Sequence, residues 1–235
     1  MAEQAPVLRA EGLTLRYGGS GRDFTAVRDV DVELIAHRFL AVVGPSGSGK
    51  SSLLYMLSGL RTPTAGNVRF GNLDYRRLGE AGVAALRRRE FGFIFQQHFL
   101  INYLGCVENV LVGARLRDPG ARDRAVRLLD RLGLGDKLDQ RPYQLSVGER
   151  QRVAVARAMV AEPAVIFADE PTASLDQRTG REVISLLGEY RSHGAVMVVT
   201  HDLGMTAGCD QVLEMRDGAI QLAGAPEPVG SRTSR

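Results

Sequence analysis

The chain has 235 residues, 44% hydrophobic, 24% charged and 6% aromatic, a globular balance that excludes a disordered, fibrous or multi-span membrane chain. Its net charge of +3 comes from 28 Arg and 2 Lys against 27 acids. The arginines are dispersed apart from Arg87-Arg88-Arg89, a pattern too diffuse for a nucleic-acid surface, so no nucleic-acid partner is expected. Arg87 to Arg89 reads instead as the solvated face or end of a helix. Cys106 and Cys209 sit in no redox or metal-ligand spacing, which points to a reducing compartment. Residues 1–10 have no apolar core and do not read as a secretory signal. No stretch reaches the roughly 18 apolar residues of a membrane span.

Residues 7–17 and 27–34 alternate apolar with polar side chains and read as half-buried strands of an N-terminal antiparallel sheet. Phe39 to Val43 is a continuous apolar run ended by Gly44, as in a strand buried on both faces. A helix over 51–60 follows, then a short strand at 67–70, a helix at 81–89 and a buried strand at 91–95. The pattern over 107–138 is helical, with Asp118-Pro119 as a helix start and Gly133 and Gly135 as stops. A helix over 148–160, buried strands at 164–168 and 195–200, and a helix at 178–190 complete the α/β part. The Pro-, Gly- and Ser-rich stretch 223–235 reads as disordered. The division expected is an α/β core with its β subdomain over 7–96 and 150–222, and a helical insertion over 97–149.

Gly44-Pro45-Ser46-Gly47-Ser48-Gly49-Lys50-Ser51, continued by Ser52, satisfies the phosphate-loop pattern between a buried strand and a helix. Glycines let several backbone N–H groups converge on phosphates, and the positive helix end adds to them. Lys50 is a compact charge for the β- and γ-phosphates, and the Ser51 hydroxyl is a ligand for Mg²⁺. The apolar run 164–168 delivers Asp169 and Glu170 at a strand's C-terminal edge, where open parallel sheets bind ligands. This pairing assigns Asp169 to the metal and Glu170 to the attacking water.

Leu145-Ser146-Val147-Gly148-Glu149-Arg150-Gln151-Arg152 resembles the signature motif of ABC-type ATPases. Phe95-Gln96, Asp169-Glu170-Pro171-Thr172, Ser174-Leu175-Asp176 and Thr200-His201-Asp202 follow the same family's order across about residues 7–222. The resemblance implies an α/β fold, a P-loop NTPase (RecA-like) core with an N-terminal antiparallel β subdomain and an inserted α-helical subdomain. It implies ATP and Mg²⁺ as cofactors, an adenine-stacking Tyr17, Gln96 linking the metal and water site to the insertion, and a γ-phosphate contact from His201. It assigns Ser146, Gly148 and Glu149 to the opposing subunit's nucleotide and Asp176 to the inter-subunit loop. Ser146 and Glu149 also form a capping box, an ordinary helix start, and Asp202 reads as a local cap. Val147 stands where the family usually has Gly.

Each chain would then hold two half-sites, so a head-to-tail homodimer is implied. Residues 87–96 and 107–110 resemble the lipoprotein-release and macrolide-export (LolD/MacB-like) group. That group implies an integral membrane permease as partner and a place on the cytoplasmic face of the membrane. His37-Arg38 in place of Gly-Glu, and Asn102 in place of Pro, depart from its pattern. Phe99-Leu100-Ile101 with Tyr103-Leu104 reads either as a docking surface for the permease or as the core of the insertion. The alternatives to a transporter subunit of this group are the ATPase of an ABC importer, or a soluble ABC-type ATPase in Fe–S assembly or DNA maintenance. Of the two lysines, Lys50 is assigned to the phosphates and Lys137 to the bare surface.

Overall fold

A computed structural model describes residues 5–18 and 24–224. Two sheets share the core among these residues. Strands β1 (Pro6–Tyr17) and β2 (Phe24–Ile35) pair antiparallel, and β4 (Ala65–Phe70) and β5 (Leu73–Asp74) extend them in the order β2-β1-β4-β5. The second sheet is built on β3 (Phe39–Val43), β6 (Phe91–Ile94), β7 (Val165–Asp169) and β8 (Ala195–Thr200). With β9 (Gln211–Arg216) and β10 (Ala219–Gly224) its order is β10-β9-β3-β8-β7-β6, parallel except for β10.

Every residue of β3, β7 and β8 is buried, which is why these strands read as unbroken apolar runs. The two-residue pleat divides them between two cores. Leu40, Val42, Phe167, Met197 and Val199 pack toward helix α1 (Lys50–Leu57) and the antiparallel sheet. Phe39, Ala41, Ile166, Ala168, Val196 and Val198 face the other way, toward helices α5 (Val147–Met159) and α6 (Gln177–Glu189). Each fully buried aliphatic or aromatic side chain contributes about 1.5–3 kcal/mol.

Helix α2 (Tyr75–Glu90) is bent where Gly79 adopts φ 65°. Arg88 and Arg89 end it in solvent, whereas Arg87 turns back to donate to the Gly59 carbonyl at 2.8 Å. The expected run of helix over 107–138 is two helices, α3 (Cys106–Leu111) and α4 (Ala121–Arg131), separated by turns. A Cβ on Gly113 would lie 2.2 Å from the Arg157 carbonyl of α5, so a close backbone approach sits where the continuous helix was expected. Asp118 accepts from the Gly120 amide at 3.0 Å, and α4 begins only after that turn. Gly133, at φ 68°, stops α4 as its position suggests.

Strands β9 and β10 were not anticipated. They place residues 223 and 224 in a strand, a correction to the disordered stretch 223–235, the rest of which lies outside the described residues. Cys106 and Cys209 are both buried and free.

Candidate functional site

The sheet order places β8 between β3 and β7, so the C-terminal ends of β3 and β7 stand about 10 Å apart at the same edge, and the loop after β3 and Asp169 at the end of β7 meet across that gap. The loop closes tightly. A Cβ on Gly44 would lie 2.1 Å from the Met215 carbonyl, and one on Gly49, at φ 103°, would lie 2.2 Å from the Ala26 carbonyl. Only glycine meets both demands.

Lys50 is 6% exposed, and its Nζ donates to the Gly44 and Pro45 carbonyls at 2.8 and 2.9 Å. That leaves one ammonium proton for a ligand. Burial lowers the Lys50 pKa against the opposing pull of Glu170 and Asp169. The buried Ser48 hydroxyl has no hydrogen-bond partner among the described residues, the state expected of a loop group shaped for an anion.

Ser51 Oγ donates to Asp169 Oδ1 at 2.9 Å, and the Tyr55 hydroxyl donates to Oδ2, also at 2.9 Å. Asp169 is 3% exposed, and burial raises its pKa despite both bonds. A hydroxyl and a carboxylate are too few to enclose a cation, but they suit Mg²⁺ completed by phosphate oxygens and water. Among the described residues no group of three His, Cys, Asp or Glu side chains offers a cage instead. The residues therefore fit both a polyphosphate and its magnesium.

Glu170 adopts φ 49°, a strained conformation for a non-glycine residue and one that clusters at functional sites. Its two oxygens lie 2.9 Å from His201 Nδ1 and 3.1 Å from the Thr200 hydroxyl. Tyr17, Pro45, Ser46, Gly47, Gly49, Lys50, Ser51, Ser52, Gln96, Glu170 and His201 line one cleft of about 610 Å³. Phe24 and Ala26 line it too and were not foreseen. Phe24 pairs with Tyr17 across the β1–β2 register and is 57% exposed, so its signal was an aromatic opposite an aromatic. Arg61 stacks its guanidinium 5.0 Å from the Tyr17 ring centre.

Ser146, Gly148, Glu149 and Asp176 are not among the residues lining that cleft. Ser146 caps α5: its Oγ accepts the Glu149 amide at 3.2 Å, and Glu149 Oε2 accepts the Ser146 amide at 2.7 Å. Lys137 donates to Glu149 Oε1 at 2.7 Å, which corrects its assignment to the bare surface. The Lys137 bond, ahead of the Ser146 amide, lowers the Glu149 pKa to about 2. Asp176 caps α6, accepting the Arg178 and Thr179 amides at 3.0 Å. Asp202 accepts the Gly204 amide at 2.8 Å, the local cap expected of it.

The apolar stretch beyond Gln96 divides. Phe99 and Tyr103 are 63% and 74% exposed, while Leu100 packs against the core. Asn109, fully buried, holds the intervening turn. It accepts from the Ile101 amide at 2.7 Å and donates to the carbonyls of Ile101, Leu104 and Gly105.

A phosphate loop on a parallel sheet, with a buried carboxylate on the next strand but one that bonds the loop's Ser51, defines a P-loop nucleoside triphosphatase. The sequence pattern of the ABC transporter family matches residues 27–173; the chain belongs to that family and is an ATP hydrolase. It is 43% identical over 92% of its length to the macrolide export ATP-binding/permease protein MacB of Nitrosomonas europaea, of which it covers 33%. It is 40% identical, again over 92%, to the lipoprotein-releasing system ATP-binding protein LolD of Hydrogenovibrio crunogenus, covering 96% of that protein. The chain thus spans about a third of the MacB relatives and nearly all of the LolD relative. A dimeric ATP-binding cassette, MJ0796, solved in a post-hydrolysis state with ADP and Pi, superposes with a TM-score of 0.86 at 31% identity. That match covers 94% of this chain and 99% of the cassette.

Proposed function

We propose that the chain is the ATP-binding and hydrolysing subunit of a transporter, closing head to tail on ATP and driving a separate membrane permease of the export or mechanotransmission type. The observation that carries the head-to-tail reading is the separation of the half-sites. The nucleotide cleft is lined by the phosphate loop, Glu170 and His201, while the signature turn at Ser146 and the Asp176 loop lie outside its lining. A second copy supplies what each cleft lacks.

Within the cleft the loop amides and Lys50 bind the phosphates, and Tyr17 stacks on the base. Ser51 and Asp169, with Gln96, would hold Mg²⁺, which would supply charge neutralisation for the phosphates when bound. Glu170 accepts the proton of the attacking water. The Thr200 hydroxyl and His201 fix its carboxylate, and the ring edge of His201 remote from Glu170 faces the γ-phosphate. Ser146 and Gly148 of the opposing copy bring a helix N-terminus to the same phosphate. Asp176, by capping α6, sets the loop that crosses between the copies.

Among the described residues no helix is long and apolar enough to cross a membrane; in this reading the permease lies outside them. The exposed rings of Phe99 and Tyr103 suit an apolar partner helix. Arg157 donates to the Phe99 and His98 carbonyls at 2.7 and 2.6 Å, tying that surface to α5. In this reading the protein works at the cytoplasmic face of the membrane, against the permease.

Complementation tests the reading. Lys50→Ala and Ser146→Arg each abolish turnover alone. Mixed, they form heterodimers with one intact composite site, and about a quarter of parental activity returns if sites act independently and copies pair at random. No recovery from two variants that each still fold overturns the head-to-tail arrangement. Glu170→Gln is expected to lower turnover by about 10²-fold or more while retaining bound ATP.

A further inference from the structure

Lys137 stands in the turn between α4 and the signature, and its backbone is fixed on both sides. Its amide donates to the Leu134 carbonyl at 3.0 Å, and its carbonyl accepts the Gln140 amide at 3.0 Å. The next carbonyl, that of Leu138, accepts the Val107 amide in the first turn of α3, also at 3.0 Å. The Lys137 and Glu149 side chains are 25% and 17% exposed. The ammonium therefore projects from a held segment onto a mostly covered carboxylate.

The charge at this helix end decides what it can bind. An α-helix N-terminus carries about +0.5 of an elementary charge. An ionised Glu149 in the first turn brings the sum to about −0.5, which repels phosphate, and Lys137 restores it to about +0.5. We propose that Lys137 is a positioning residue for the signature: it holds the Glu149 carboxylate on the Ser146 amide and cancels its charge, so that the start of α5 presents a net positive end to the nucleotide of a second copy of this chain. The same ion pair ties the signature to the turn that α3 anchors, joining it to the helical part of the molecule. The inference rests on the head-to-tail reading above.

The test measures ATP-induced dimerisation of the full chain by sedimentation, in a Glu170→Gln background with Mg²⁺ and ATP. A fluorescent ATP analogue measures binding by the monomer. Lys137→Met is expected to weaken the dimer about tenfold or more and to leave the monomer's nucleotide affinity at the parental value. Lys137→Met/Glu149→Gln, which removes both charges and returns the helix end to about +0.5, is expected to regain most of the dimer affinity that Lys137→Met loses. Lys137→Arg keeps the charge and is expected within about twofold of the parent, so the inference stays exposed if Lys137→Met does not fold.

A Lys137→Met protein that dimerises like the parent overturns the inference. A double variant as weak as Lys137→Met also overturns it, because the lysine is then a packing prop and not a counter-charge. If the Glu170→Gln parent stays monomeric with ATP, the head-to-tail reading fails and takes this inference with it. A parental dimer that Lys137→Met leaves untouched removes this inference alone.

Discussion

The Tyr55 hydroxyl donates to Asp169 Oδ2 at 2.9 Å, on the side of the carboxylate opposite the Ser51 hydroxyl. Tyr55 lies one turn beyond Ser51 on α1, so a single helix delivers both donors. Burial, with the Asp169 charge next, raises the Tyr55 pKa to about 12, which keeps the phenol a hydrogen donor at physiological pH. The bond orients the carboxylate, and in the proposed reading it does so without competing for the cation.

Tyr55→Phe leaves Oδ2 without that donor and frees the carboxylate to rotate. Partners of this kind typically matter by 10–100-fold in metal affinity. The expected result is a rise of about tenfold in the Mg²⁺ concentration that half-saturates nucleotide binding, read with a fluorescent ATP analogue. Binding in the absence of Mg²⁺ is expected to be nearly unchanged. An unshifted magnesium titration removes Tyr55 from any role at the metal.

Glu149 gives a pH signature. Its pKa is lowered from the ordinary 4.5 to about 2, by Lys137 first and the Ser146 amide second. A lowered native pKa means that the unfolded chain binds the proton more readily, so the carboxylate's stabilisation is present above 4.5 and is lost as pH falls toward 2. Glu149→Gln has no such titration. Thermal melts from pH 6 to 3 are expected to show the parent losing ground to Glu149→Gln below about 4.5. A constant difference across that range contradicts the ion pair.

Much of this site was readable from residue order, because the chemistry is local. The apolar run into Gly44 and the run into Asp169 each carry their functional groups within a few residues of a strand end. What escaped depends on partners distant in the chain or on signals weighed too lightly. Lys137 has its meaning only against Glu149, 12 residues on. The break between α3 and α4 coincides with the contact of Gly113 with the Arg157 backbone, which no periodicity reveals. Gln211 to Arg216 mixes Glu and Arg into a short alternation that masks strand β9. Yet Asp217 and Gly218, both at positive φ, form the Asp-Gly turn that is a strong hairpin signal. His37, where Gly is usual, adopts φ 60° and is held by the Arg191 carbonyl, 2.8 Å from its Nδ1. The left-handed turn is kept although its glycine is gone.

Asn109 shows how a sequence motif acquires a physical role. Its amide bonds to one N–H and three carbonyls of the 101–105 turn while fully buried. Asn109→Ala strands the Ile101 N–H and the Leu104 carbonyl, because the Ile101 and Gly105 carbonyls keep the backbone amides of residues 104 and 109, at a cost of about 1–3 kcal/mol for the leading one. The expected outcome is a stability loss of about 2–3 kcal/mol by urea denaturation. Hydrogen exchange should accelerate at Ile101, whose amide loses its acceptor. Parental exchange at Ile101 would place the control of that turn elsewhere.

Val147 is the departure within the signature. It is the first residue of α5, 47% exposed, and absent from the positive-φ residues, so the backbone here has no need of glycine. Val147→Gly therefore costs only helix propensity, about 0.5–1 kcal/mol, or a fall in Tm of about 1–4 °C for a chain of this size. On the proposed head-to-tail reading, removing the isopropyl group also clears the face that Ser146 would turn toward a second copy. The ATP-induced dimer is expected to tighten while the monomer's nucleotide affinity holds. Sedimentation with ATP, paired with thermal melts, separates the two effects. A lower Tm with an unchanged dimer would place Val147 outside the contact between copies, and the side chain would then be a helix-start residue and nothing more.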